Sequence, residues 1–265
     1  MKIVYIAGCT HSGTTLLNRV LGAHSRVVTL GSVKNLRKEL PGPKPCRCGA
    51  PSPLECPFWM AVDTGLREAG RRLEGLDTMA DDPATFGADN RALFEAVARV
   101  SGAEVIVDSS RSGGRLRRLQ AVPGLEVLPV HLHKAPGRQA WSWVRKGHGL
   151  PFVMKEFWLT HLKAAAACRG NPASRTLAYE RFCADPGTVL EGLFAWMGLE
   201  HEPGVLHAWG QAPIHVLGGN HMKRSDRSDI ALDDGYRTRL HAWTRWTVAA
   251  TCGPLSLYLG RRGDL

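Results

Sequence analysis

Lys2-Ile3-Val4-Tyr5-Ile6-Ala7 runs into Gly8-Cys9-Thr10-His11-Ser12-Gly13-Thr14-Thr15, and Leu16-Leu17-Asn18-Arg19-Val20-Leu21 follows. The first six residues form a near-continuous apolar run, the pattern of a strand buried in a parallel sheet. The last six place apolar residues at helical spacing. Strand, glycine-bounded loop and helix together are the layout of a phosphate-binding loop. Two glycines at Gly-x-x-x-x-Gly spacing let the backbone curl until several N–H groups aim at one anion. The helix adds the positive end of its dipole. A βα turn whose glycines serve only packing is the plainer alternative.

The residues after the second glycine narrow the ligand. A nucleotide triphosphatase has Gly-Lys-Ser/Thr there, with Lys on the β/γ-phosphates and the hydroxyl on magnesium. Gly13-Thr14-Thr15 stands in its place. Such a loop suits one phosphate better than a β/γ pair with its metal. That favours a nucleotide carrying a single 5′-phosphate and one further group.

The chain has 34 Lys+Arg against 24 Asp+Glu, a formal charge of +10. This field draws anions: nucleotides, sulfated or phosphorylated acceptors, nucleic acid or acidic lipid. No RNA-recognition aromatic motif, zinc-finger pattern or long basic run is present, so nucleic acid is not expected as a partner. No apolar run reaches transmembrane length and no secretory signal pattern occurs. No membrane span and a cytoplasmic location are therefore expected.

Val27-Val28-Thr29-Leu30, closed by Gly31, predicts a second strand, and Glu104–Val107, Leu125–Leu132 and Thr176–Tyr179 predict three more. Helices are predicted near 57–74, 83–100 and 152–169, with Asp82-Pro83 and Asp185-Pro186 as start signals. Alternating strands and helices in a chain of 265 residues predict one α/β domain, 1–265. Its expected architecture is a P-loop-like three-layer sandwich with a central, mainly parallel sheet flanked by helices. Residues 32–57, with Pro41-Gly42-Pro43-Lys44-Pro45, and residues 200–228 read as long loops of functional importance.

Cys46, Cys48 and Cys56 cluster in the first of these loops, near Trp59. The spacing fits packed thiols beneath Trp59, a redox-sensitive disulfide, or zinc with a nearby histidine, in that order of preference. The paired C-x-x-C knuckles of a clear zinc motif are missing, so no metal is expected. Cys9, Cys168, Cys183 and Cys252 read as small buried side chains.

Polar residues just past a parallel strand's C-terminal end sit where α/β sheets bind ligands. Asp108-Ser109-Ser110-Arg111 and His133-Lys134 occupy such places. Asp108 is also positioned to cap the next helix, whose basic face would include Arg115, Arg117 and Arg118. Lys134 and Ser142, two turns into the following helix, are placed to grip one phosphate from two sides. Gly218-Gly219-Asn220 with Lys223 and Arg224 offers close backbone approach and charge.

In order and spacing, these segments resemble the sulfotransferases that use 3′-phosphoadenosine 5′-phosphosulfate (PAPS). His11-Ser12-Gly13-Thr14-Thr15 is similar to their 5′-phosphosulfate loop, Lys/Arg-Ser-Gly-Thr-Thr. Lys134 and Ser142, with Pro136 between them, resemble the 3′-phosphate signature. Val107-Asp108-Ser109-Ser110 followed by Arg111, and Tyr179-Glu180 with Cys183-Ala184-Asp185-Pro186, are similar to segments of bacterial and carbohydrate-type members. So are Gly219-Asn220 with Lys223-Arg224, Cys46-x-Cys48-Gly49 and Cys56-x-Phe58-Trp59. The resemblance implies sulfuryl transfer from PAPS, leaving adenosine 3′,5′-bisphosphate (PAP). The acceptor would be a hydroxyl, less readily an amine, of a small molecule, carbohydrate or natural product. The loops at 32–57 and 200–228 would shape its pocket. Cofactor contacts are implied at Cys9, Thr10, His11, Ser12, Gly13, Thr14, Thr15, Lys134, Ser142, Asn220, Lys223 and Arg224, with no metal.

Two positions depart from that pattern. His11 stands where Lys or Arg is usual; protonated, it would stabilise the bridging oxygen as the bond to sulfur breaks. Gly31-Ser32 stands where related bacterial enzymes have Gly-Glu. The role of general base then passes to Asp108, with His131, His133, His215 and His221 as further candidates. Arg111 is placed to hold the sulfonate or the acceptor. Two readings compete: a P-loop kinase or hydrolase, against which Thr14 stands, and a non-enzymatic anion- or nucleic-acid-binding module, which the basic balance allows.

Overall fold

Five strands form one parallel sheet in the computed structural model, which describes residues 1–265 apart from 43, 47, 213, 218–228 and 264–265. They are β1 (Lys2–Gly8), β2 (Val27–Gly31), β3 (Val105–Arg111), β4 (Glu126–His133) and β5 (Arg175–Ala178). Their order is β2-β3-β1-β4-β5, and every neighbouring pair is parallel. β1 lies at the centre because it is apolar on both faces. Ile3, Tyr5 and Ala7 enter one core, Val4 and Ile6 the other, all fully buried.

Twelve helices are found among the described residues. In chain order they begin α1 (Thr14–Leu21), α2 (Leu36–Glu39), α3 (Pro57–Glu68), α4 (Pro83–Ser101), α5 (Gly113–Gln120) and α6 (Pro136–Val144). α7 (Leu150–Cys168), α8 (Tyr179–Ala184), α9 (Pro186–Met197), α10 (Val205–Ala208), α11 (Tyr236–Arg239) and α12 (Ala242–Gly260) follow. Leu16, Leu17, Phe182, Leu193 and Phe194 of α1, α8 and α9 cover the Val4 face. Trp59, Phe86, Leu93, Leu116 and Ala164 of α3, α4, α5 and α7 cover the Ile3 face. Helix, sheet, helix are the three expected layers. None of the helices is long and apolar enough to cross a membrane, among the described residues.

Several local expectations change. Tyr179 opens α8 rather than closing a strand. Ser112, not Asp108, caps α5: its side chain accepts from the Arg115 amide. The stretch 32–57 carries α2 and two short 3-10 turns. Within 200–228, α10 forms, and Leu217 pairs with the outer edge of β2. The Leu217 N–H donates to the Leu30 carbonyl at 2.8 Å, and the Leu217 carbonyl accepts from the Ser32 N–H at 2.8 Å. Gly31 permits this approach: its φ is +72°, and a Cβ there would lie 2.4 Å from the Leu217 oxygen.

β1 leads away to β2 on one side, and its neighbour β4 leads to β5 on the other. The chain direction therefore diverges between the C-terminal ends of β1 and β4, where doubly wound sheets open a ligand crevice.

Candidate functional site

The loop between β1 and α1 is built from its own backbone. The Ser12 amide and hydroxyl both donate to the Cys9 carbonyl, at 3.2 and 2.7 Å. Ser12 is wholly buried, so its hydroxyl closes the turn instead of facing a ligand, contrary to the expected contact. His11 and Gly13 follow with φ of 69° and 98°. A Cβ on Gly13 would sit 2.2 Å from Tyr179 Cδ2, so only glycine fits there. α1 has no side-chain cap, and the amides of Gly13, Thr14, Thr15 and Leu16 have no hydrogen-bond partner among the described residues. Four free N–H groups at the positive end of a helix are an anion cradle. Thr14, buried, and Thr15, half-buried, are the first two residues of the helix.

Cys9 and Thr10 support this cradle from behind. The Cys9 side chain packs among Ala140, Trp143 and Val153, and burial pushes its thiol up to about 12. The Thr10 carbonyl accepts a hydrogen bond from the Gln139 side chain of α6. The buried Cys9 side chain faces the core and not a ligand, which corrects that part of the expectation.

Unpaired positive charge surrounds the loop. Lys134 leaves β4 and is buried, its Nζ 4.5 Å from the centroid of the Tyr179 ring against which Gly13 packs. Burial lowers its pKa while Glu180 pulls the other way, and it has no ion pair among the described residues. Arg111 ends β3 at φ 65°, its side chain also without an ion pair or hydrogen bond among them. Its pKa too is lowered by burial. Lys34 sits beside Arg111, and burial and then that arginine lower its pKa. Sequence reasoning missed Lys34, because one lysine in a basic loop forms no pattern.

His11 completes this group. Burial, followed by the charges of Lys146, Arg111, Lys134 and His148, pushes it down to about 4, so the ring is neutral in the free protein at neutral pH. Its edge rests on Trp143, with centroids 5.1 Å apart. Ser142 lies on the same helix as Trp143, and its hydroxyl donates to the Arg138 carbonyl at 3.1 Å. Arg138 ties Glu180, at 3.4 Å, and Asp234, at 2.9 Å, to α6, which fixes the segment leading to α11 beside the site. No pattern in the sequence singled out that clamp.

Asp108 has a structural role. It is wholly buried, and Arg115 bridges its Oδ2 through Nε and Nη2, both at 3.0 Å. Its Oδ1 accepts from the Ser110 amide at 2.9 Å and from the Ser110 hydroxyl. The remaining Arg115 donors go to the Thr78 carbonyl and, at 2.6 Å, to Asn90 Oδ1. This closed network leaves Asp108 no lone pair directed at the crevice, so its expected role as general base is withdrawn. Arg115 likewise lies inside the fold, not on an exposed basic face.

Of the other candidate bases, His131 and His215 have partners, whereas both ring nitrogens of His133 are buried without a hydrogen-bond partner among the described residues. His131 and His161 share a hydrogen bond at 2.9 Å in the interior. His133 is buried beside them, and burial holds its pKa at about 4. His215 faces Cys46 and Cys56. Asn220, His221, Lys223 and Arg224 lie outside the described residues. On α7, Glu156 is half-buried with no ion pair among the described residues, close enough that its charge adds to the rise of the Cys9 thiol. Two surface hollows elsewhere, one between α3 and α4 and one beside Met1 and Met197, touch none of these groups.

No family model and no curated protein matches the sequence. Solved structures do. The sulfotransferase domain of the Synechococcus PCC 7002 olefin synthase aligns with a TM-score of 0.61 at 18% identity, covering 96% of this chain and 94% of that one. The sulfotransferase domain from the curacin biosynthetic pathway aligns with a TM-score of 0.57 at 17% identity, over 96% and 97%. A sulfotransferase from Mycobacterium avium aligns at 0.50 and 12%, over 98% of this chain and 78% of its own. The chain has the fold of these sulfotransferases along nearly its whole length.

Proposed function

We propose that this protein transfers a sulfuryl group from PAPS to a hydroxyl of a small-molecule, carbohydrate or natural-product acceptor. One observation carries the reading: four free amides at the start of α1 lie near three cations, Lys134, Arg111 and Lys34, none of which is in an ion pair among the described residues. A lysine of the triphosphatase kind is absent from this loop. The sulfotransferase fold and the loop sequence support the same assignment.

In this reading the amides of Gly13 to Leu16 and the hydroxyls of Thr14 and Thr15 hold the 5′-phosphosulfate. Lys134 and Ser142 hold the 3′-phosphate, with the Ser142 hydroxyl turning from its helix carbonyl to the ligand. Transfer is in-line: the acceptor oxygen bonds to sulfur as the bond from sulfur to the 5′-phosphate oxygen breaks. Positioning and charge stabilisation supply most of the rate. Arg111 and Lys34 take up charge on the sulfonate oxygens. His11 gains a proton when the dianion arrives and donates to the departing phosphate oxygen. Glu156, in place of Asp108, accepts the acceptor's proton. Asn220, Lys223 and Arg224 remain proposed nucleotide contacts.

The test is a PAP binding titration, followed by transfer of labelled sulfate from PAPS across a panel of phenol, sugar and alcohol acceptors. Submicromolar to micromolar PAP binding and label on a hydroxyl acceptor are expected. Binding of Mg·ATP without PAP binding would favour a kinase or hydrolase. Glu156→Gln lowers turnover and leaves PAP affinity unchanged if Glu156 is the base.

A further inference from the structure

Cys46, Cys48 and Cys56 meet His215, more than 150 residues away in sequence, at the outer edge of the sheet. One ligand atom from each lies within 4.8 Å of all the others. Cys48 Sγ is 3.5 Å from Cys56 Sγ. His215 Nδ1 is 3.1 Å from Cys56 Sγ and 3.7 Å from Cys46 Sγ. Zinc bonds of about 2.3 Å to sulfur and 2.0 Å to nitrogen put tetrahedral ligand atoms roughly 3.5–3.8 Å apart. The four atoms already stand close to that arrangement.

The surroundings prepare the ligands. The Gly49 amide donates to the Cys46 carbonyl at 3.1 Å and the Cys46 amide to the Ala50 carbonyl at 2.8 Å, a tight turn that folds Cys48 back toward Cys46. Cys56 stands immediately before α3. Phe58 stacks on the His215 ring at 4.6 Å and 9°, and Trp59 Nε1 donates to the His215 carbonyl at 3.0 Å. These contacts fix the imidazole from one face and from its backbone. Cys48 is exposed, which gives the ion a way in.

We propose that these residues form a structural zinc site with Cys46, Cys48 and Cys56 as thiolates and His215 bound through Nδ1. Four protein ligands close the coordination sphere, which makes the site structural and not catalytic. Binding releases the thiol protons to solvent. The ion staples the 46–56 excursion to Ile214–Leu217, the segment that pairs with β2. It thereby fixes where the chain enters 218–228, the stretch carrying Lys223 and Arg224. Nothing in the spacing of the three cysteines points to a histidine in another loop, so zinc ranks last on sequence alone.

The test uses the full chain, expressed with zinc and purified under reducing conditions, and counts metal by mass spectrometry. About one zinc per chain is expected. Replacement by Co(II) should give thiolate charge-transfer bands and the ligand-field bands of a tetrahedral site. Cys46→Ser, Cys48→Ser, Cys56→Ser and His215→Ala should each lose zinc or change the cobalt spectrum, while Cys252→Ser should do neither. Chelation should lower Tm and expose the 46–56 stretch to protease. Metal-free wild-type protein after incubation with zinc, or a Cys48–Cys56 disulfide persisting under the same reducing conditions, would overturn the site. So would a wild-type cobalt spectrum lacking thiolate bands, an outcome readable even where a variant fails to fold.

Discussion

Among single residues, His11 makes the sharpest prediction. Burial, then the charges of Lys146, Arg111 and Lys134, hold it at about 4 in the free protein. A bound dianion reverses the local field and raises its pKa, so binding takes up a proton. Affinity for PAP should then rise in wild type relative to His11→Gln as pH falls from neutral toward about 5. A ratio that stays constant over this range would contradict the assignment. Lys134→Ala should weaken PAP binding by about 2 kcal/mol, as expected of a charge-assisted contact, and weaken AMP binding less, because AMP lacks the 3′-phosphate. Asp108→Asn should act on stability: it leaves the Arg115 charge buried without its carboxylate, a loss of about 3–5 kcal/mol visible in thermal unfolding. Lys134, Arg111 and His11 were legible because a strand end or a loop motif marks them. Asp108 was misread for a related reason. A carboxylate at a strand end looks the same in sequence whether it faces the crevice or an arginine seven residues on.

Elements behave differently, since their role depends on backbone shape. Gly13→Ala places a methyl group against the Tyr179 ring at a positive φ and should abolish PAP binding by deforming the cradle. Gly70→Ala, also at positive φ but with open space around it, should leave PAP affinity unchanged. Equal loss in both would mean that the loop's fit against α8 is irrelevant. The five strands were legible because buried parallel strands are apolar runs, and α4 and α9 because an Asp-Pro pair announces them. The start of α8 at Tyr179 was not. Tyrosine is a good strand former, and its place here follows from a contact with Gly13 that sequence does not display. The Leu217 edge pairing escaped for the same reason: its partner, β2, lies far away in sequence.

Across the whole molecule, a chain of net charge +10 leaves Lys134, Arg111 and Lys34 without ion pairs among the described residues and buries His24, His131, His133 and His161. The charge and the α/β alternation were readable from composition and pattern; which histidines were interior was not. Burial lowers the pKa of His131, His133 and His161, to about 4 for His133 and about 3 for His161. An unfolded histidine titrates near 6.5, so below that pH the unfolded chain binds more protons than the folded one. Their contribution is complete above about pH 6.5 and is lost as pH falls through about 4. Tm should drop over that window, and a flat profile there would contradict the interior placement of these rings. The most direct single measurement is a crystal structure of the full chain grown with equimolar PAP and Mg·ATP. The expected result is PAP, with its 5′-phosphate on the amides of Gly13 to Leu16 and its 3′-phosphate within hydrogen-bond reach of Lys134 and Ser142. A metal–triphosphate in the loop, or PAP seated elsewhere, would contradict it.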